Sequence, residues 1–284
     1  MGATLERPEN RERVKLWRLP ELGNVDLMHA TYITQTFPRH SHEGFAIGAV
    51  ECGALGFYYR GENVVAPAGA VNLANAGEPH TGHAAAETGW TYRMFYFDAH
   101  ILGKAASEMR GRPGDIPFFK AGVIHDDSLA RIVRTLHMNL EEGSLSRLER
   151  ESRFLWMLTH LIARHADAPP PLQAVGRESR RVRLAREVIE AHYSENIPLA
   201  RLAALTGLSA FHLVRVFRGE TGLPPHAYQT QVRINKARAL LQKGWTIATT
   251  AFEVGFADQS HFTRCFKHIT GVTPGLYRKI VQNS

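Results

Sequence analysis

The chain has 284 residues, 44% of them hydrophobic, which is enough to bury one or two cores, and its length favours two domains. No apolar run approaches the roughly 18 residues a membrane span needs, and the opening MGATLERPENRERVKLWRL is too charged for a secretory leader, so a soluble, cytoplasmic protein without a membrane partner is expected. The net charge of +7 arises from one region: residues 177–284 hold 16 Lys and Arg against 7 Asp and Glu, whereas residues 1–176 hold 18 against 20. A basic segment joined to a near-neutral one calls for a polyanion partner for the first and a different partner for the second. The two cysteines, Cys52 and Cys265, lie in different halves and suggest neither a disulfide framework nor a Cys-based zinc site.

From Ala30 to about Asp98 the pattern is short strands and frequent turns. FAIGAV and LGFYY are β-rich runs, RGEN is a turn signal, and WTYRMFYF alternates as a half-buried strand does. Frequent glycines add to the expectation of a small antiparallel barrel or sandwich. From about Ser128 to His165 the period becomes helical. Leu129, Ile132, Val133, Leu136 and Leu140 share one face, EEGS breaks the run, and a second helix carries Leu148, Phe154, Leu158, Leu161 and Ile162. DAPPPLQAVGRES reads as a semi-rigid linker. The expected division is therefore 1–166, a linker over 167–178, and a helical domain over 179–284, an α+β chain overall.

The helical domain contains an internal repeat. A shift of 49 residues pairs His212 with His261, Arg215 with Arg264, Phe217 with Phe266, Thr221 with Thr270, Gly222 with Gly271, Pro225 with Pro274 and Tyr228 with Tyr277. Each copy reads as two short helices around a glycine turn, the image of a helix-turn-helix. In the first, Leu202 and Leu205 point inward, Gly207 turns the chain and Ser209 caps the next helix. In the second, Ile247, Ala251 and Val254 point inward, with Gly255 at the turn and Asp258 as cap.

Leu213 and Phe217, like Phe262 and Phe266, are spaced i, i+4 and bury against the preceding helix. That leaves Phe211, Val214, Arg215 and Arg218 facing outward in the first copy, and Gln259, Ser260, Thr263, Arg264 and Lys267 in the second. Arg pairs with guanine, Gln with adenine, and apolar groups with the thymine methyl, so these faces suit a major groove of double-stranded DNA.

The segment from about Arg180 to Lys279 resembles the DNA-binding domain of the AraC/XylS family of bacterial transcription regulators. The pattern I-A-x-x-A-F-x-V-G-F-x-D-x-S-x-F-x-R-x-F-K-x-x-x-G-x-T-P-x-x-Y-R, satisfied from Ile247 to Arg278, carries the resemblance. It implies two helix-turn-helix units joined by a linking helix at about Pro225–Gln242, with both recognition helices entering successive major grooves on one DNA face. The family's recognition positions fall on Phe211, Val214 and Arg215, and on Gln259, Ser260, Thr263 and Arg264, with Val214 departing from the usual polar residue.

Many members of that family carry an N-terminal cupin-type barrel that senses a small molecule, followed by dimerising helices, and the order of elements here is similar. Gly61–Gly69 matches part of the second cupin motif, but Asn72 replaces its metal-binding histidine; His40-x-His42 matches the first, but Glu43 follows at once. These departures favour polar groups lining a ligand pocket over a metal centre, although His40, His42, His80 and His83 remain able to converge. The candidate lining is His40, His80, Trp90, Tyr92 and Arg93, with no cofactor expected. The resulting expectation is a homodimeric, effector-responsive regulator, an activator contacting RNA polymerase, rather than an enzyme. The alternative is a cupin metalloenzyme fused to a DNA-binding module.

Overall fold

The computed structural model describes residues 11–171 and 179–282; the first ten residues and 172–178, most of the expected linker, lie outside them. Two compact units divide the chain. One runs to Glu141 and resumes at Phe154, and the other takes Glu142–Arg153 together with the helices from Ser179 onward. The expected boundary falls after the second long helix, whereas here that helix contributes to both units.

The first unit is antiparallel throughout. Its strands are β1 (Arg13–Leu19), β2 (Val25–Tyr32), β3 (Phe37–His40), β4 (Phe45–Tyr59), β5 (Glu62–Pro67), β6 (Val71–Ala74), β7 (His80–Ala84), β8 (Trp90–Phe97) and β9 (Val123–Ile124). They run in the order β1-β2-β8-β4-β6-β9, with β5 and β7 added on β4, and β3 on β7. The long β4 is shared between two sheets: its first half pairs with β6 and β8, its second with β5 and β7. The changeover is a bulge at Glu51, followed by Gly53 in the left-handed region at φ 67°. A Cβ on Gly53 would lie 1.9 Å from the Gly89 carbonyl, so the strand bends there only because the side chain is absent.

Strand β1 and helix α1 (Ala99–Arg110) fall outside the elements expected from the sequence. Strand β1 escapes pattern reading because Val14 and Leu16 face outward while Lys15 and Trp17 reach α2 (Asp127–Glu141), through an ion pair with Glu141 and an edge contact with His137. Helix α3 (Arg147–His165) sets Phe154 against Phe95 and Phe97, and its His165 reaches the Asp126 carboxylate at the start of α2 at 2.9 Å.

The second unit holds α4 (Ser179–Ala191), α5 (Leu199–Thr206), α6 (Ala210–Thr221), α7 (Pro225–Gln242), α8 (Ile247–Glu253), α9 (Gln259–Thr270) and α10 (Pro274–Gln282). The linking helix α7 buries polar side chains. Gln229 donates to the carbonyls of Tyr193 and Glu195, and Arg233, one turn on, donates to the same two at 2.7 and 3.0 Å. Burial lowers the Arg233 pKa to about 10, still charged at neutral pH, and these four bonds tie the loop after α4 to α7.

Candidate DNA-reading face and effector cavity

The two helix-turn-helix copies are built alike, and six of the seven identities of the repeat belong to that scaffold. Ser209 Oγ accepts from the His212 amide at 3.2 Å, and Asp258 Oδ1 from the His261 amide at 2.7 Å. Thr221 donates to the Phe217 carbonyl at 2.7 Å and Thr270 to the Phe266 carbonyl at 2.8 Å, each just before a left-handed glycine, Gly222 or Gly271. Pro225 and Pro274 open α7 and α10, whose Tyr228 and Tyr277 each stand 5.5 Å from the matching phenylalanine ring. Only Arg215 and Arg264 belong to the outward faces. Leu202 is fully buried as expected, but Leu205 is 48% exposed and does not contribute to the core.

On α9, Gln259, Ser260, Arg264 and Lys267 are exposed and Thr263 is half-buried, while only Phe262 and Phe266 are buried. Arg264 lies 3.8 Å from Glu142, within the same unit. Helix α6 differs. Arg218 is exposed and Arg215 half-buried, with its guanidinium 5.4 Å from the Phe211 ring centre. Phe211 is 6% exposed and Val214 8%, so the expectation that both face outward does not hold. They stand where the second copy has Ser260 and Thr263, and their apolar surface is packed away rather than left to water.

In the first unit a cavity of about 250 Å³ lies between the two sheets that share β4. Its walls are largely aromatic and apolar, with Tyr32, Phe37, Phe57, Tyr92, Met94 and Tyr96 among them. Of the expected lining, His40, His80 and Tyr92 are in place. Trp90 is fully buried behind them, 5.2 Å from Tyr32 and 6.0 Å from Tyr92 between ring centres.

Arg93 is a correction, and strand parity is the reason. Successive side chains on β8 alternate, so Tyr92, Met94 and Tyr96 face the cavity and Arg93 and Phe95 face α2. There Arg93, 7% exposed, bonds Glu51 at 2.9 Å, Glu141, and His137 Nδ1 at 3.2 Å. Burial pushes the Glu141 carboxyl up, but hydrogen bonds from Arg93 and Lys15 outweigh it and hold the pKa at about 2. Burial and the Arg93 charge lower His137 to about 3.

Three histidines converge at the cavity, and His83, exposed on β7, does not join them. His40 and His80 are register partners, with ring centres 4.5 Å apart; His42 stands 4.9 and 5.0 Å from them and 5.4 Å from Tyr96. Burial and the two neighbouring imidazoles lower the His42 pKa to about 4, so it is neutral at physiological pH. Burial also lowers His80. Tyr92 and Tyr96 are pushed upward by burial and stay protonated. Sequence reasoning left His42, Tyr96 and Asn72 out of the lining; the i, i+2 spacing of His40 and His42 was the available signal.

The comparisons with known proteins follow the same division. Residues 22–158 match the AraC-like ligand binding domain, and residues 202–280 match a helix-turn-helix domain. The chain is 34% identical over 229 residues to an uncharacterised HTH-type transcriptional regulator of Bacillus subtilis, YbfI, covering 81% of this chain and 82% of that protein. It is 36% identical over 80 residues to the HTH-type transcriptional regulator MtrA of Neisseria gonorrhoeae, covering 28% of this chain and 27% of that one. A crystal structure of a probable AraC family transcriptional regulator from Rhodopseudomonas palustris aligns with 36% of this chain and 97% of its own at 30% identity, with a TM-score of 0.35. The chain belongs to the AraC family of helix-turn-helix transcriptional regulators.

Proposed function

We propose that the chain is a sequence-specific activator of transcription whose grip on DNA is set by a small molecule held in the cavity between the sheets. The observation that carries this reading is the pairing of two capped helix-turn-helix copies, one with an exposed Gln, Ser and Arg face, with a separate, largely aromatic cavity. In this reading Gln259, Ser260, Thr263, Arg264 and Lys267 meet one major groove, and Arg215 and Arg218 meet the next, while His40, His80 and Tyr92 contact the effector. The protein acts in the cytoplasm as a homodimer and recruits RNA polymerase. Among the described residues no single helix is long and apolar enough to cross a membrane.

An effector changes DNA binding only through different affinities for two arrangements of the protein. The testing experiment is a selection from random-sequence duplexes with full-length protein at near-physiological salt, because phosphate contacts dominate at low salt. Two blocks of recovered bases about one helical turn apart support two reading helices. A single block restricts readout to one of them, and no recovered motif at any salt argues against sequence-specific binding.

A further inference from the structure

The first helix of each helix-turn-helix copy starts differently. In the second copy Thr246 caps α8 from within, its hydroxyl accepting from the Thr249 amide at 3.1 Å. In the first copy the residue before α5 is Pro198, whose side chain offers no acceptor. The acceptor comes instead from Glu151 on α3, 48 residues back along the chain. Its Oε2 accepts from the Leu199 amide at 2.6 Å, and its Oε1 from Arg147 at 2.8 Å. A carboxylate at this position meets an orphan amide and the positive end of the helix together, a charge-assisted bond stronger than one from a hydroxyl.

The stretch that carries Glu151 also reaches the second copy. Glu142–Arg153, the turn after α2 and the opening of α3, belongs to the second unit, with Leu145, Leu148 and Ser152 buried. Glu142 lies 3.8 Å from Arg264 on α9. Glu149 is buried and pairs with Arg153 at 2.6 Å. Its surroundings are α7 and α9: burial lowers the pKa of His226, Arg233 and His261 and raises that of Cys265, and the Glu149 charge is the next largest influence on all four. One short stretch thus holds α5 of the first copy and faces α9 of the second, by contacts separate from the covalent path through α7. Two reading helices engage DNA together only when their spacing matches the groove repeat, and a spacing fixed beforehand leaves less freedom to lose on binding.

We propose that Glu142–Arg153 braces the two helix-turn-helix copies against each other and that Glu151 is a positioning residue for DNA reading. Its carboxylate fixes the first copy to the opening of α3, where the second copy also rests, and so holds the two recognition helices at one spacing. The inference rests on the reading of α6 and α9 as helices that meet successive major grooves, and adds what sets the distance between them.

The test measures full-length protein on the selected duplex, on duplexes with the two blocks moved closer or further apart by one or two base pairs, and on each block alone. Glu151→Ala is expected to weaken binding to the selected duplex by about fivefold and to flatten the preference for its spacing, with binding to single blocks unchanged. Glu151→Gln, whose amide oxygen still accepts from Leu199, keeps the preference. Pro198→Thr gives the first copy a cap of its own, so Glu151→Ala with Pro198→Thr regains stability without regaining the preference. That double variant also serves if Glu151→Ala alone does not melt cooperatively. A spacing preference that survives Glu151→Ala, or an equal loss on every duplex, overturns the proposal. A DNA-free measurement separates it from the reading it rests on. Spin labels at Arg218→Cys and Lys267→Cys, in a chain carrying Cys52→Ala and Cys265→Ala, report the distance between the exposed ends of α6 and α9. A distance distribution broadened by Glu151→Ala supports the brace even if the unaltered protein selects a single block, which would remove only the two-groove reading. An unchanged distribution overturns the brace whatever the DNA shows.

Discussion

The two helix-turn-helix copies share their caps, their glycine stops and their phenylalanine–tyrosine contacts, yet they differ in what they leave exposed. Helix α9 fully buries only Phe262 and Phe266 and leaves Gln259, Ser260, Arg264 and Lys267 exposed, whereas α6 buries Phe211, Val214 and Val216 as well as Leu213 and Phe217. Duplication has therefore kept the scaffold and changed the face. The comparison teaches that identity between repeats mostly reports folding, and that the outward faces proposed to read DNA differ at most of their positions.

The largest test of the shared scaffold removes its central ring. Phe217→Ala and Phe266→Ala should each cost about 3–5 kcal/mol in denaturant unfolding, because both rings are fully buried. A loss confined to one copy would break the structural equivalence. The difference in faces is tested on DNA. Arg264→Ala should weaken binding to a selected site by about 1–3 kcal/mol while changing binding to random duplexes much less. Arg215→Ala should cost less, since its guanidinium is half-buried over Phe211. Equal losses on selected and random DNA would make Arg264 a phosphate contact instead.

A smaller effect is expected at the caps. Ser209→Ala and Asp258→Ala should each cost about 1 kcal/mol of stability, read from shifts in the unfolding midpoint at unchanged slope. The smallest concerns His226, whose counterpart under the 49-residue shift is Gly275. Burial lowers the His226 pKa from 6.5 to about 4, and its Nδ1 has no hydrogen-bond partner among the described residues. Between those values the unfolded chain takes up a proton that the folded chain refuses, so this histidine makes stability fall as pH drops from 6.5 towards 4. His226→Gln should therefore lose less stability than the unaltered protein between pH 7 and 5, and parallel losses would show that other groups set the acid response.

Much of this architecture is legible in the sequence. Glycine after a short apolar helix and Ser or Asp before the next locate both turns, because left-handed backbone and orphan amides admit few residue types. The β-rich segment is likewise legible from its turns, while β1 is hidden because its apolar residues face out. The expected lining holds both Tyr92 and Arg93 although adjacent strand residues point to opposite faces, and the parity of WTYRMFYF alone excludes Arg93. The burial of Phe211 and Val214 could not be read from helical spacing, which marks the face a helix needs to bury and not how much more it will bury. The role of Gln229 and Arg233 depends on two loop carbonyls more than 30 residues earlier in the chain, a pairing that no local pattern carries.

The alternation of β8 has a mechanical meaning. The strand is a partition one residue thick, with Tyr92 and Met94 lining the cavity and Arg93 between them bonded to Glu51 and Glu141 on the other side. Glu141 is the last residue of the first unit before the chain enters the second. The cavity wall is thus tied, through Arg93 and Glu141, to the residue at which the chain leaves the first unit.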